Sequence, residues 1–244
     1  MTPSRAAPLA GEQPSRVAIV EDEGLYREML ATCLSNQHTQ VVGSFATADG
    51  ALARIPELRP GAAILDIDLP GPMDGVELGL ALRRQLPAIG IVLLSNHAIP
   101  RLLASLPRDA VSGWSYLLKK SVGNVAALSR AITGAIAGLV TIDSSLVADM
   151  RSRGGGVLDR LTPRQRQVLE LIAQGYTNAA IAEALVLREK SVEKHVSLLY
   201  EELRLDRDSS LQPRVLAVLT YLRETRLSSP AYDASGKSNV SSAP

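Results

Sequence analysis

The chain has 244 residues, 46% of them hydrophobic, and a net charge of +1 at pH 7, which is room for two domains with cores of their own. The near-neutral balance excludes a protein that binds nucleic acid by bulk charge, and an aromatic content of 3% excludes a stacking platform for single strands. One cysteine and three scattered histidines exclude an internal disulfide and give no zinc-ligand spacing.

Residues 1–15, MTPSRAAPLAGEQPS, are rich in small residues and proline and lack the apolar core of a secretory signal. They are expected to be disordered. No later apolar run approaches the length of a membrane span, so the expectation is a cytoplasmic protein with no membrane partner. From Arg16 to about Val140, short apolar runs alternate with helical patterns. RVAIV precedes a helix near Leu25–Leu34, VVGSF one over Ala48–Ile55, and AAILDI one over Val76–Gln85. IGIVLLS is followed by a short helix, and SYLLKK by one from about Gly123 to Gly138. Five such pairs imply an α/β domain with a doubly wound, five-stranded parallel sheet. Cys33, inside the first helix, reads as a small buried apolar residue.

Residues 141–158 end in three consecutive glycines and read as a linker. Beyond it the pattern is helical only. In LTPRQRQVLELIAQGY, Thr162 is a helix N-cap, Pro163 the first helical residue and Gly175 the stop. Asn178–Leu185 and Ser191–Leu203 follow, then Leu211–Glu224, making an all-α domain over 159–226. Residues 227–244, poor in large apolar groups, are expected to be a disordered tail.

Strand ends carry the chemistry. The first strand runs into Glu21 and Asp22, and the third ends on Asp66. A flavodoxin-like order makes these strands neighbours, with ligands bound outside their carboxyl ends. Three carboxylates in one cleft repel unless a cation compensates, and Mg²⁺ suits such a set. The fourth strand ends at Ser95 and the fifth at Lys119, adding a hydroxyl and an ammonium that can hold phosphoryl oxygens.

With those residues in order, the stretch 16–140 resembles the receiver domain of bacterial two-component response regulators. The resemblance implies that Asp66 in ILDIDLPG is the phosphoacceptor and that Glu21 and Asp22 in AIVEDE bind Mg²⁺ with it. It adds the backbone carbonyl of Asp68 as a metal ligand, and Ser95, Tyr116 and Lys119 as the switch and phosphoryl-binding residues. Two departures stand out: Glu21 where many receivers have Asp, and longer loops in LPGPMDG and LPRDAVSGWSYLLKK.

Residues 159–223 resemble the helix-turn-helix of LuxR/FixJ-type regulators. Val192, Val196, Leu199 and Leu203 make a buried stripe, and Lys190, Lys194, Ser197 and Glu201 another face. As a recognition helix this places Lys190, Lys194 and Ser197 toward the major groove, with Glu193 supporting the helix start or meeting a cytosine. Thr177 and Asn178 cap the scaffold helix, Asn178 also touching phosphate, and His195 is packed or half-buried. The count from Val157 to Arg226 is 11 basic to 10 acidic residues, so affinity leans on a homodimer. Val215, Leu216, Leu219 and Leu222 are its candidate contacts, or ordinary core.

The combined expectation is a DNA-binding transcriptional response regulator, not an enzyme. A sensor histidine kinase would phosphorylate it, and it would bind double-stranded promoter DNA as a dimer. Two other readings compete. LDIDLP also resembles the start of haloacid-dehalogenase-type phosphatases, and Glu21 with the altered loops would suit a receiver that works without phosphorylation.

Overall fold

The computed structural model describes residues 14–35, 39–99, 102–108, 110–152, 154–205 and 210–227. The tails expected to be disordered, 1–15 and 227–244, lie outside them apart from Pro14, Ser15 and Leu227. The strands β1 (Ser15–Val20), β2 (Thr39–Phe45), β3 (Ala62–Asp66), β4 (Gly90–Ser95), β5 (Trp114–Leu118) and β6 (Thr141–Ile142) form one parallel sheet in the order β2-β1-β3-β4-β5-β6. Helices α1 (Gly24–Ser35), α2 (Ala48–Leu58), α3 (Gly75–Gln85), α4 (Leu102–Ser105) and α5 (Val125–Ile136) connect them.

Successive strand residues serve opposite faces. Val17, Ile19, Ala62, Ile64, Val92 and Leu94 pack with Leu30 and Leu34 of α1 and Leu128 and Ile132 of α5. Ala18, Val20, Ala63, Leu65, Ile91 and Leu93 pack with α2, α3 and α4. Burial on both faces explains why these strands read as unbroken apolar runs. Each fully buried Leu or Ile contributes about 1.5–3 kcal/mol. Cys33 is only half-buried, because α1 directs Leu30 and Leu34, not the thiol, at the sheet.

Among the described residues the sheet has six strands, not the expected five. β6 is two residues long, too short to leave a periodic signal, and pairs Ser115 with Thr141 and Tyr116 with Ile142. It covers the β5 edge, where backbone groups would otherwise stay unpaired. The expected linker at 141–158 is therefore ordered chain over most of its length: β6, then α6 (Ser144–Asp149), then β7 (Met150–Ser152).

The helical domain comprises α7 (Pro163–Ala173), α8 (Asn178–Leu185), α9 (Glu189–Glu202) and α10 (Pro213–Glu224). Thr162 forms a capping box with Gln165, and Pro163 opens α7. The domain is not purely α: β8 (Thr225–Leu227) follows α10 and pairs antiparallel with β7. Its three residues carry no alternation that a sequence pattern could expose. α10 packs on α7 and also on α4, and the apolar core on the α2–α3 face runs on into the helical domain.

Between α8 and α9 the chain turns at Val186, which has φ 53° and ψ 51° and is 91% exposed. A β-branched residue in the left-handed region is strained, and its exposed side chain gains little from packing. Val186→Asn is expected to stabilise the protein by about 1 kcal/mol, seen as a higher denaturant midpoint at unchanged slope. A lower midpoint would show that the turn conformation is wrongly read.

Candidate functional site

The parallel register brings four strand ends to one edge. Val20 pairs with Leu65, Asp66 with Leu94 and Ser95 with Leu118, so Glu21, Asp66, Ser95 and Lys119 surround a single pocket. Glu21 and Asp66 are buried, and Asp22 is exposed at the rim. Carboxylate oxygens of Glu21, Asp22 and Asp66 lie within 4.8 Å of one another. The Lys119 ammonium sits 2.9 Å from both Glu21 Oε1 and Asp66 Oδ2. The other Glu21 oxygen, Oε2, is buried with no hydrogen-bond partner among the described residues.

Burial raises the Glu21 carboxyl above its ordinary pKa, and the bond from Lys119 offsets this only in part. Burial weakens the Lys119 ammonium, but its bonds to Asp66 and Glu21 prevail and hold it above its usual value. Asp66 Oδ1 accepts the Asp68 amide at 3.1 Å, which fixes the turn after β3. Gly75 starts α3 directly against that turn: a Cβ there would lie 2.0 Å from the Asp66 carbonyl oxygen. Only glycine permits this approach.

Two residues of α1 that the sequence reading missed complete the pocket. Arg27 donates to the Glu21 carbonyl at 2.6 Å and the Asp22 carbonyl at 3.2 Å. Tyr26 donates to the Lys119 carbonyl at 3.1 Å, and the ammonium lies 4.9 Å from its ring centre. Their signal was available, since a helix starting at Gly24 turns its first residues back over the acidic loop.

Ser95 and Tyr116 are both buried. Ser95 Oγ accepts the His97 amide at 3.0 Å. The Tyr116 hydroxyl donates to the His97 carbonyl and accepts the Ile99 amide at 3.1 Å. Burial raises the Tyr116 pKa, so the hydroxyl keeps its proton. Both side chains thus hold the segment 97–99, which leads toward α4.

In the helical domain α9 begins at Glu189, two residues before the expected start, with no side-chain cap. Val192, Val196 and Leu199 are buried, while Lys190, Glu193, Lys194 and Ser197 are exposed on the outer face. The Ser197 hydroxyl donates to the Glu193 carbonyl at 3.0 Å. Thr177 caps α8, whereas Asn178, expected to share the cap, is the first helical residue and its Oδ1 accepts from Arg214 at 3.3 Å. His195 is half-buried. Of the candidate dimer contacts, Val215, Leu219 and Leu222 are buried in the core of this conformation, and Leu216 is half-buried.

Residues 17–130 match the response regulator receiver domain, and residues 159–212 match the bacterial regulatory proteins of the luxR family. A protein named "Probable transcriptional regulatory protein NarL", from Mycobacterium tuberculosis, is 30% identical over 226 residues, covering 90% of this chain and 100% of its own. The chain belongs to the LuxR-type response regulators. The DNA-binding transcriptional activator DevR/DosR of the same organism is 29% identical over 199 residues, 79% of this chain and 89% of that protein. A structure of RcsB from Salmonella enterica serovar Typhimurium, bound to promoter rprA, covers 86% of this chain and 98% of that one at 23% identity and a TM-score of 0.42. Membership makes this response regulator a transcription factor, not a phosphatase of the haloacid-dehalogenase type. Glu21 reaches the same cluster as Asp22 and Asp66, so its extra methylene does not dismantle the site.

Receiver domains bind Mg²⁺ at an acidic pocket, and this one fits the ion. Three carboxylates face a single ammonium, and Glu21 Oε2 has no partner among the described residues. No helix among the described residues is long and apolar enough to cross a membrane.

Ligand linkage gives the test. Mg²⁺ at ten times its Kd should stabilise the protein by about 1.4 kcal/mol, raising Tm by about 3–5 °C. Glu21→Gln keeps an acceptor for Lys119 but removes a charge, and the Mg²⁺-induced rise should shrink to near zero. An undiminished rise would place the ion elsewhere.

Proposed function

We propose that Asp66 accepts a phosphoryl group from a partner sensor histidine kinase, and that the resulting change at Ser95 and Tyr116 governs binding of α9 to promoter DNA. The observation that carries this reading is Lys119 held 2.9 Å from both Asp66 and Glu21 in a buried pocket. An Asp66 carboxylate oxygen attacks phosphorus, the P–N bond of the phosphohistidine breaks, and the leaving imidazole takes up a proton. Lys119 and Ser95 hold the transferred oxygens. Mg²⁺, held by Glu21, Asp22, Asp66 and the Asp68 carbonyl, supplies charge neutralisation when bound.

The α9 face supports DNA contact through Lys194, with Lys190 and Ser197 beside it and Glu193 at the helix start. Asn178 steadies Arg214 and so serves the phosphate contact through the fold as well as directly. Near-neutral charge favours a homodimer on a two-fold site. Pairing through Val215, Leu216, Leu219 and Leu222 would draw on residues that this conformation spends mostly in the core.

Acetyl phosphate and Mg²⁺ should give one phosphoryl adduct by intact mass, absent in Asp66→Asn. No adduct on the wild type, or one that survives the substitution, would sink the assignment. On duplex DNA selected from a random pool by the wild type, Lys194→Ala should weaken binding by about 1–3 kcal/mol and reduce the salt slope by about one. Unchanged affinity and slope would place the interface elsewhere.

A further inference from the structure

The covering of the β5 edge has a chemical centre at Asp143. Its amide donates to the Tyr116 carbonyl at 2.8 Å, and its Oδ2 accepts the Leu118 amide at 3.0 Å. Its Oδ1 accepts the Ser145 amide at 2.8 Å and the Ser145 hydroxyl at 2.7 Å. Capping α6 needs only one carboxylate oxygen. The second is committed to Leu118, the residue immediately before Lys119. Asp143 is 1% exposed, so water cannot replace it there. One residue, by its amide and its short side chain, therefore grips β5 on both sides of Leu117 with little slack.

The same segment is wedged against the helical domain. Gly175, at φ +80°, closes on Thr141, where a Cβ would come within 2.9 Å of the threonine side chain. Leu146 and Val147 are buried in the shared core, and the Tyr221 hydroxyl of α10 donates to the Val147 carbonyl at 3.4 Å. Beside them the Arg130 guanidinium of α5 lies 4.3 Å from the ring centre of Tyr176. Downstream, β7 is fastened to β8. Residues 141–152 thus connect the lysine-bearing end of β5 to α7 and α10 through the succession of β6, α6 and β7.

We propose that Asp143 is a positioning residue for Lys119, fixing the end of β5 from which the lysine reaches Asp66, and that β6 and α6 transmit the state of that lysine to the helical domain. The inference rests on the reading of Asp66 as the phosphoacceptor. When Lys119 shifts toward a transferred phosphoryl group, the Leu118 amide shifts with it. Asp143 follows that amide, and Thr141 and Val147 follow Asp143.

The test compares Asp143→Ala with Ser145→Ala in the full chain. Both weaken the α6 cap, but only the first removes the acceptor from Leu118. With acetyl phosphate and Mg²⁺, adduct formation by intact mass should slow about tenfold in Asp143→Ala and stay within about twofold of wild type in Ser145→Ala. Equal rates in the two variants would reduce Asp143 to a helix cap and overturn the proposal. Hydrogen exchange on the wild type keeps the test open if Asp143→Ala does not fold. Adduct formation should change protection over 115–120, 141–147 and 168–176 together, and an unresponsive 141–147 would overturn the proposal as well. A wild type that takes no phosphoryl group removes the Asp66 reading and this one with it. An adduct with equal variant rates removes this one alone.

Discussion

The bridge from Lys119 to Glu21 and Asp66 is the interaction on which the receiver's architecture turns. Buried carboxylates are costly unless paired, and the cost rises when they face each other. The Lys119 ammonium, 2.9 Å from both, and the Arg27 guanidinium on the Glu21 and Asp22 carbonyls together balance only part of the charge carried by Glu21, Asp22 and Asp66. The pocket is left short of positive charge, and the orphaned Glu21 Oε2 marks where the shortage is felt. That deficit makes the site receptive to a divalent cation. It also makes the position of Lys119 critical, because the same ammonium must serve the resting carboxylates and any oxygens added to Asp66.

Holding that ammonium in place occupies residues from three directions. Tyr26 takes the Lys119 carbonyl from α1, Asp143, between β6 and α6, takes the preceding amide, and β4 pairs Ser95 with Leu118. Arg27 fixes the acidic loop from below by its carbonyls. Apart from the bond of Arg27 to the Asp22 carbonyl at the rim, these contacts are buried or half-buried, and each fixes a main-chain group, so the position of Lys119 follows the backbone of the strand ends.

Much of this was legible in the sequence, for a physical reason. Strands buried on both faces must be apolar throughout, so a carboxylate, hydroxyl or lysine at their ends stands out against the run. Glu21, Asp66, Ser95 and Lys119 were readable on that ground, and the helix caps at Thr162 and Thr177 by their side-chain chemistry. The unread parts share another cause. β6, β7 and β8 are two or three residues long, and their pairing depends on partners far along the chain. Asp143 looked like one more linker residue because nothing local shows that Leu118 needs an acceptor. Val215, Leu219 and Leu222 repeat with helical spacing whether they meet a second copy or the chain's own core. The placement of α10 against α7 and α4 buries them in this conformation, which the repeat alone does not reveal.

That placement has a consequence for how the two halves communicate. The core on the α2–α3 face of the sheet continues without interruption through Ile142, Leu146 and Val147 into α7 and α10. Ser95 and Tyr116 hold the segment 97–99 on the α4 side of that core, while Asp143 holds β5 on its outer edge. Close-packed interiors resist small continuous distortions, so a change at the phosphoryl pocket has two solid routes outward. One runs by α4 and the other by β6, and both end at α10. A hinge at the three glycines 154–156 lies downstream of both, and it cannot uncouple the domains while β7 remains paired with β8.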